Sequence, residues 1–209
     1  MTIRNWIRLF FSTLMVGGIV TGVSGLILRW DEFAPWFKDF DLGRIISVLL
    51  WLIVVGFTFS VISQMGFFAY LTIHQFGLGM FRSFWKTVQV VITLFVLFDL
   101  VYFRFDGFTV NGEIRYSYIS LFLLIVLTGL IVAYLKNKQS GQNTFVSAIF
   151  FMVVVTVLEW LPVLQAQESK WLFLMLFALL ACNAYQLLAL PKYNKRSEQE
   201  RLAKNKKKD

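Results

Sequence analysis

Few residues in this chain are of the types that catalysis uses. There is one histidine, His74, and one cysteine, Cys182. That combination excludes the usual zinc ligand sets and any internal disulfide. Gly22-Val23-Ser24-Gly25 spells GxSG, the pattern intramembrane serine proteases place around their nucleophile. Ser24, however, falls near one end of the first apolar segment, and His74 near the opposite side's end of the second. Most of a bilayer would lie between them, whereas a serine–histidine pair must meet at about 3 Å. No metal-binding helix motif is present, and Gly77-Leu78-Gly79 lacks the strand-to-helix setting of a phosphate loop. The expectation is a chain that is not an enzyme and holds no cofactor or metal.

Two acids stand inside apolar segments, Asp99 and Glu159. Ionisable groups there are costly and usually face a bundle interior or water. By depth both fall in the outer third, near the level of Arg104. The three residues are a candidate outward-facing polar pocket. The competing reading makes them interfacial, beside the aromatic residues Tyr102 and Trp160. Gln64, Gln89, Asn183 and Gln186 fall in inner halves of their segments, and amides in such places usually hydrogen-bond between helices.

The elements that carry these groups are apolar helices. The sequence is 58% hydrophobic and only 15% charged, with a mean hydropathy of +0.68; soluble domains average about 25% charged residues. Runs of roughly 20 apolar residues fit membrane spans, and they do not alternate as barrel strands do. The fold class is therefore all-α, a polytopic membrane protein of six helices at about 9–28, 45–73, 87–103, 117–135, 144–164 and 170–190. Together these make one transmembrane domain, 1–191. A short hairpin is expected around Asn111-Gly112, pairing 108–110 with 114–116. Pro191 is expected to stop the sixth helix. Residues 192–209 then form a basic tail without periodicity, expected to be disordered and suited to anionic lipid rather than nucleic acid. In the first helix Gly18 and Gly22 form a GxxxG for close helix packing, and Gly17, Thr21 and Gly25 a second row of small residues. Fourteen of the twenty Lys and Arg lie on the N-terminal side of the membrane, eight of them in the tail. The positive-inside rule places both termini in the cytoplasm, and the expected location is the cell membrane.

The segment His74–Lys86 has more aromatic residues than a plain turn requires. Phe76, Phe81, Phe84 and Trp85 accompany the bases Arg82 and Lys86, with no acid. From Met80 the apolar residues fall on one helical face, the pattern of a helix lying flat in the interface. Gly77 and Gly79 would supply the bend into it. An ordinary loop with belt aromatics is the alternative. The candidate partner-contact residues are His74, Phe76, Gly77, Gly79, Phe81, Arg82, Phe84, Trp85 and Lys86.

The start Arg4-Asn5-Trp6-Ile7-Arg8-Leu9-Phe10-Phe11, the six-helix layout, the basic tail and the stretch MGFFAYLTIHQFGLGMFRSFW together resemble the KinB-signalling-pathway activation proteins of spore-forming bacilli. The resemblance covers nearly the whole chain and carries no catalytic motif. It implies an integral membrane protein through which a sensor histidine kinase feeds the sporulation phosphorelay, with that kinase as partner beside the lipid bilayer. The alternative from the residues alone is a small transporter or substrate-binding subunit built on Asp99, Arg104 and Glu159. A membrane enzyme acting on lipid or peptide is a third and weaker reading.

Overall fold

The computed structural model describes residues 1–104, 116–140, 143–164 and 169–205, and all its regular elements are helical. They are α1 (Ile3–Leu28), α2 (Trp30–Lys38), α3 (Leu42–Phe81), α4 (Trp85–Asp99), α5 (Tyr116–Ser140), α6 (Phe145–Phe150), α7 (Thr156–Leu164) and α8 (Ser169–Asn205). A 3₁₀ turn, Arg82–Phe84, joins α3 to α4, and π-helical turns extend α4 over Leu100–Arg104 and join α6 to α7 over Phe151–Val155. The hairpin expected at 108–116 lies outside the described residues, apart from Tyr116, which opens α5.

Among the described residues, five helical stretches are long and apolar enough to cross a membrane. One of them, Leu42–Tyr102, contains the Arg82–Phe84 turn and so has two arms. The outside of the bundle carries exposed apolar side chains such as Ile19, Val54, Leu94, Phe95, Leu127 and Ile131. Thr13, Thr21, Ser60, Ser63, Gln89, Thr156, Asn183 and Gln186 are turned inward. A water-soluble bundle has the reverse pattern, since a helix in water keeps its apolar stripe toward the core.

α1 packs mainly on α3 and α8. The contact with α3 runs along Gly17, Thr21 and Gly25, all buried. A Cβ on Gly17 would come within 2.6 Å of the Ser60 Cβ and 2.8 Å of the Gly56 carbonyl oxygen, and one on Gly25 would strike Leu52. Small residues let the backbones approach this closely. Gly18 meets Phe57, but nothing lies within 4 Å of a Cβ placed on Gly22. The closest approach therefore uses the second small-residue row, and of the GxxxG pair only Gly18 takes part in the packing.

The α6–π–α7 rod is the most enclosed part of the bundle. All five residues of its π turn are buried, and α3, α4, α5 and α8 surround it. A helix apolar on every side belongs at a core. The π turn inserts an extra residue per turn and rotates everything after it relative to an ideal helix.

α8 does not stop at Pro191 but continues to Asn205. A proline inside a helix removes the bond to the carbonyl four residues back, here that of Leu187. That carbonyl accepts instead from Lys136 Nζ on α5, at 2.6 Å. With its freed acceptor satisfied, the helix runs on. The tail is thus helical to Asn205 rather than disordered. It packs on the start of α1: Asn5 Nδ2 donates to Ser197 Oγ at 2.8 Å and to Glu200 Oε2 at 3.1 Å, with Asn5 and Ser197 both buried. Arg8 and Arg196 flank Glu200 at 3.7 and 3.5 Å.

Candidate functional site: the α3–α4 turn and the buried Glu159 cluster

The segment 74–86 is neither a flat helix nor a loop. α3 continues straight through Gly77 and Gly79 to Phe81. The chain then reverses over three residues, starting at Arg82, whose φ is 44°. The bend therefore falls at Arg82 and not at the glycines. Gly77 has a different role. It is buried, and a Cβ there would collide with the Trp85 indole. Its missing side chain lets that ring lie against α3, which draws the first turn of α4 onto the last turns of α3. Gly79 is exposed and has nothing within 4 Å.

Trp85 is held by more than packing. Its indole N–H donates to His74 Nδ1 at 3.0 Å, and its ring stacks on Phe81 with centroids 6.1 Å apart. Gln89 also reaches His74 Nδ1, at 3.4 Å, and accepts from Ser147 Oγ at 3.0 Å. Tyr70 closes the set by donating to the Ser147 carbonyl at 3.2 Å. The nine residues singled out from the sequence thus divide. His74, Gly77 and Trp85 form an internal clasp between α3 and α4. Phe76, Gly79, Phe81, Arg82, Phe84 and Lys86 are exposed. Phe76, Met80 and Phe84 are each two-thirds exposed or more.

The clasp makes a direct prediction. Gly77→Ala is expected to displace the Trp85 ring, shift tryptophan emission and lower the unfolding midpoint. Gly79→Ala meets no neighbour and gains helix propensity of up to about 1 kcal/mol, so it is expected to be neutral or mildly stabilising. Equal behaviour of the two variants in thermal unfolding would contradict the packing described.

Glu159 is not in the company its depth suggests. It is only 8% exposed, and Trp160 beside it is fully buried, with its indole donating to the Leu172 carbonyl at 3.0 Å. Both face the bundle interior. Glu159 Oε2 accepts from Asn183 Nδ2 at 2.8 Å, and the same amide group donates to Thr156 Oγ1 at 2.9 Å. Asn183 Oδ1 accepts from Ser63 Oγ at 2.7 Å, and Ser63 in turn accepts from Gln186 Nε2 at 2.7 Å. Gln64 donates to Ser60 one turn away, at 3.3 Å. α3, α7 and α8 are therefore joined by a polar cluster with Asn183 at its hub. Among the described residues Glu159 Oε1 has no hydrogen-bond partner, and it lies against Gly66, where a Cβ would overlap it. Beside it is an otherwise apolar cavity of about 470 Å³ lined by Ile62, Met65, Ala69, Phe150 and Leu158, among others. Asp99 is the last residue of α4, half-buried, and is not on that cavity's wall. The side chain of Arg104 lies outside the described residues. Of the expected Asp99–Arg104–Glu159 grouping, the described contacts show Glu159 bonded to Asn183, which also bonds Thr156 and Ser63. Interhelical bonding is legible from the sequence for Gln89, Asn183 and Gln186, whereas Gln64 bonds within α3; the link to Glu159 is not legible there.

The fold and these clusters define a class: an all-α bundle with apolar outer faces and helices of membrane-crossing length, joined internally by hydrogen bonds. The chain belongs to the KbaA family, described as KinB-signalling pathway activation in sporulation, whose family model matches residues 17–193. It is 50% identical over 192 residues to a Bacillus subtilis (strain 168) protein named KinB-signaling pathway activation protein, a match covering 91% of this chain and 97% of that protein. No solved structure matches.

Proposed function

We propose that this chain is an integral membrane activator of a KinB-type sensor histidine kinase pathway feeding the sporulation phosphorelay, and that it acts by protein contact rather than by catalysis. The observation that carries the reading is the 50% identity, over nearly the full length of both chains, to a protein named for that activity. The two arms of Leu42–Tyr102 count as separate crossings in this proposal, so the five apolar stretches give six spans. Both termini then lie in the cytoplasm of a multi-pass cell-membrane protein, in keeping with the Lys and Arg bias. In that topology the α3–α4 turn faces the cytoplasm.

The contact surface proposed is the outer ridge of this turn, Phe76, Met80, Phe81 and Phe84, flanked by Arg82 and Lys86. Several exposed aromatics at one helix end are more than the bundle itself uses, and aromatic residues with arginine are the types that dominate protein contact surfaces. Trp85 is excluded because it is held inside. The test is a kinase-dependent sporulation reporter, normalised to the amount of membrane-inserted protein. Replacing Phe76, Phe81 and Phe84 together by Ala is expected to reduce output at least fivefold, with insertion unchanged because the spans are untouched. Wild-type output would move the contact elsewhere, first to the apolar groove of about 240 Å³ along Met15, Ile19 and Gly22.

A further inference from the structure

Behind the aromatic ridge, on the inner side of the same turn, the helices enclose a second pocket of about 280 Å³. Its wall mixes two chemistries. His74, Lys86, Lys136 and Thr144 supply hydrogen-bonding groups, while Leu71, Leu78, Leu187 and Leu190 supply an apolar side. No carboxylate is among the lining residues, and among the described residues neither Lys86 nor Lys136 forms an ion pair. Lys136 is only 8% exposed. One of its three N–H donors goes to the Leu187 carbonyl; an ammonium has two more to give. A buried cation without a counter-charge is costly, and here a second cation shares the pocket. His74 adds a third donor. Its Nδ1 accepts from Trp85, so a neutral imidazole carries its proton on Nε2.

We propose that this pocket binds an anionic phosphate group, held by Lys136 and Lys86 with His74 as a neutral donor. The site is distinct from the basic tail and lies behind the proposed kinase-contact ridge, with which it shares Lys86. Basic pockets between helices at the inner membrane face are suited to anionic headgroups, and the leucine side would accept the glycerol and upper acyl segment of a phospholipid. A soluble phosphate compound would use the same lysines and leave the leucines uncovered.

The experiment measures ligand retention by native mass spectrometry of the full chain in detergent, with phosphatidylglycerol, phosphatidylcholine or inorganic phosphate added separately. Lys86→Gln with Lys136→Met is expected to weaken phosphatidylglycerol binding at least tenfold. Lys192→Gln with Lys195→Gln, the same charge change on the exposed tail, is expected to alter it less than twofold. Because Lys136 also caps the Leu187 carbonyl, Lys86→Gln alone is run beside the pair; Lys86 is exposed and takes no part in that bond, and a threefold or greater loss is expected. Phosphatidylglycerol retained through the pocket lysines, with phosphatidylcholine not retained, supports the proposal with lipid as the source. Inorganic phosphate retained through those lysines, without phosphatidylglycerol, supports it with a soluble source. Equal losses from the pocket and tail pairs, or no loss from Lys86→Gln, overturn it.

Discussion

Asn183→Leu is expected to lower stability by about 3 kcal/mol and to separate α7 from α3 at the level of Glu159. Asn183 accepts from Ser63 and donates to Thr156 and to Glu159 Oε2. Leucine has a similar size, so the substitution mainly removes three hydrogen bonds. A net bond is worth about 1 kcal/mol, and a buried group left without a partner costs about 1–3 kcal/mol. Among the described residues Glu159 Oε1 already has no partner, so the variant would leave the entire carboxyl group unbonded. Interhelical polar contacts inside bilayers average nearer 0.6 kcal/mol, which makes about 2 kcal/mol the lower end of the expected range. The check is reversible unfolding in mixed micelles, run as a cycle with Glu159→Leu. Removing both partners should recover part of the loss, because no orphaned carboxyl then remains. If Asn183→Leu alone stays within 0.5 kcal/mol of wild type, the hub described here is wrong.

That cluster also marks where reading from sequence stops. Depth along a helix is readable from residue number at about 1.5 Å per residue, and depth put Asp99, Arg104 and Glu159 at one level. The direction in which each side chain points is a separate quantity. For Glu159 it is set by the Phe151–Val155 π turn, which breaks the 3.6-residue period just before it. A strict 3.6-residue period carried across that turn would rotate Glu159 away from the direction it takes. Three of the four amides are easier, because a Gln or Asn in an apolar helix mostly bonds to a neighbouring helix; Gln64 bonds to Ser60 of its own helix instead. Pro191 failed as a stop signal for a tertiary reason: the acceptor it frees is satisfied by Lys136, 51 residues earlier in the chain. The helical character of the chain needed no such partner, since the apolar runs and the base distribution are local properties. The glycines of the α3–α4 turn mark its region without making its bend. Gly77 is needed for the Trp85 ring to approach, and the reversal itself falls on a non-glycine residue, Arg82.

The largest effect is expected from Gly56→Leu. A Cβ at Gly56 would sit 2.5 Å from the Gly17 carbonyl oxygen, 2.8 Å from Gly18 Cα and 2.8 Å from Thr21 Cβ. All three atoms belong to α1, and the first two are backbone, which no rotamer change can move aside. The helices must therefore separate. Overpacking a closed interface usually costs about 1–3 kcal/mol; here separation also opens the Gly17–Ser60 and Gly25–Leu52 contacts along the same seam. A loss above about 3 kcal/mol is expected, with the protein failing to accumulate in membranes at growth temperature. Gly22→Leu is the matched control, because nothing lies within 4 Å of its Cβ. It is expected to accumulate normally. The measurement is the amount of folded protein extracted in mild detergent, compared at equal transcript level. Normal accumulation of Gly56→Leu together with loss of Gly22→Leu would mean that α1 meets its neighbour through the GxxxG face, and the seam along Gly17, Thr21 and Gly25 would have to be abandoned.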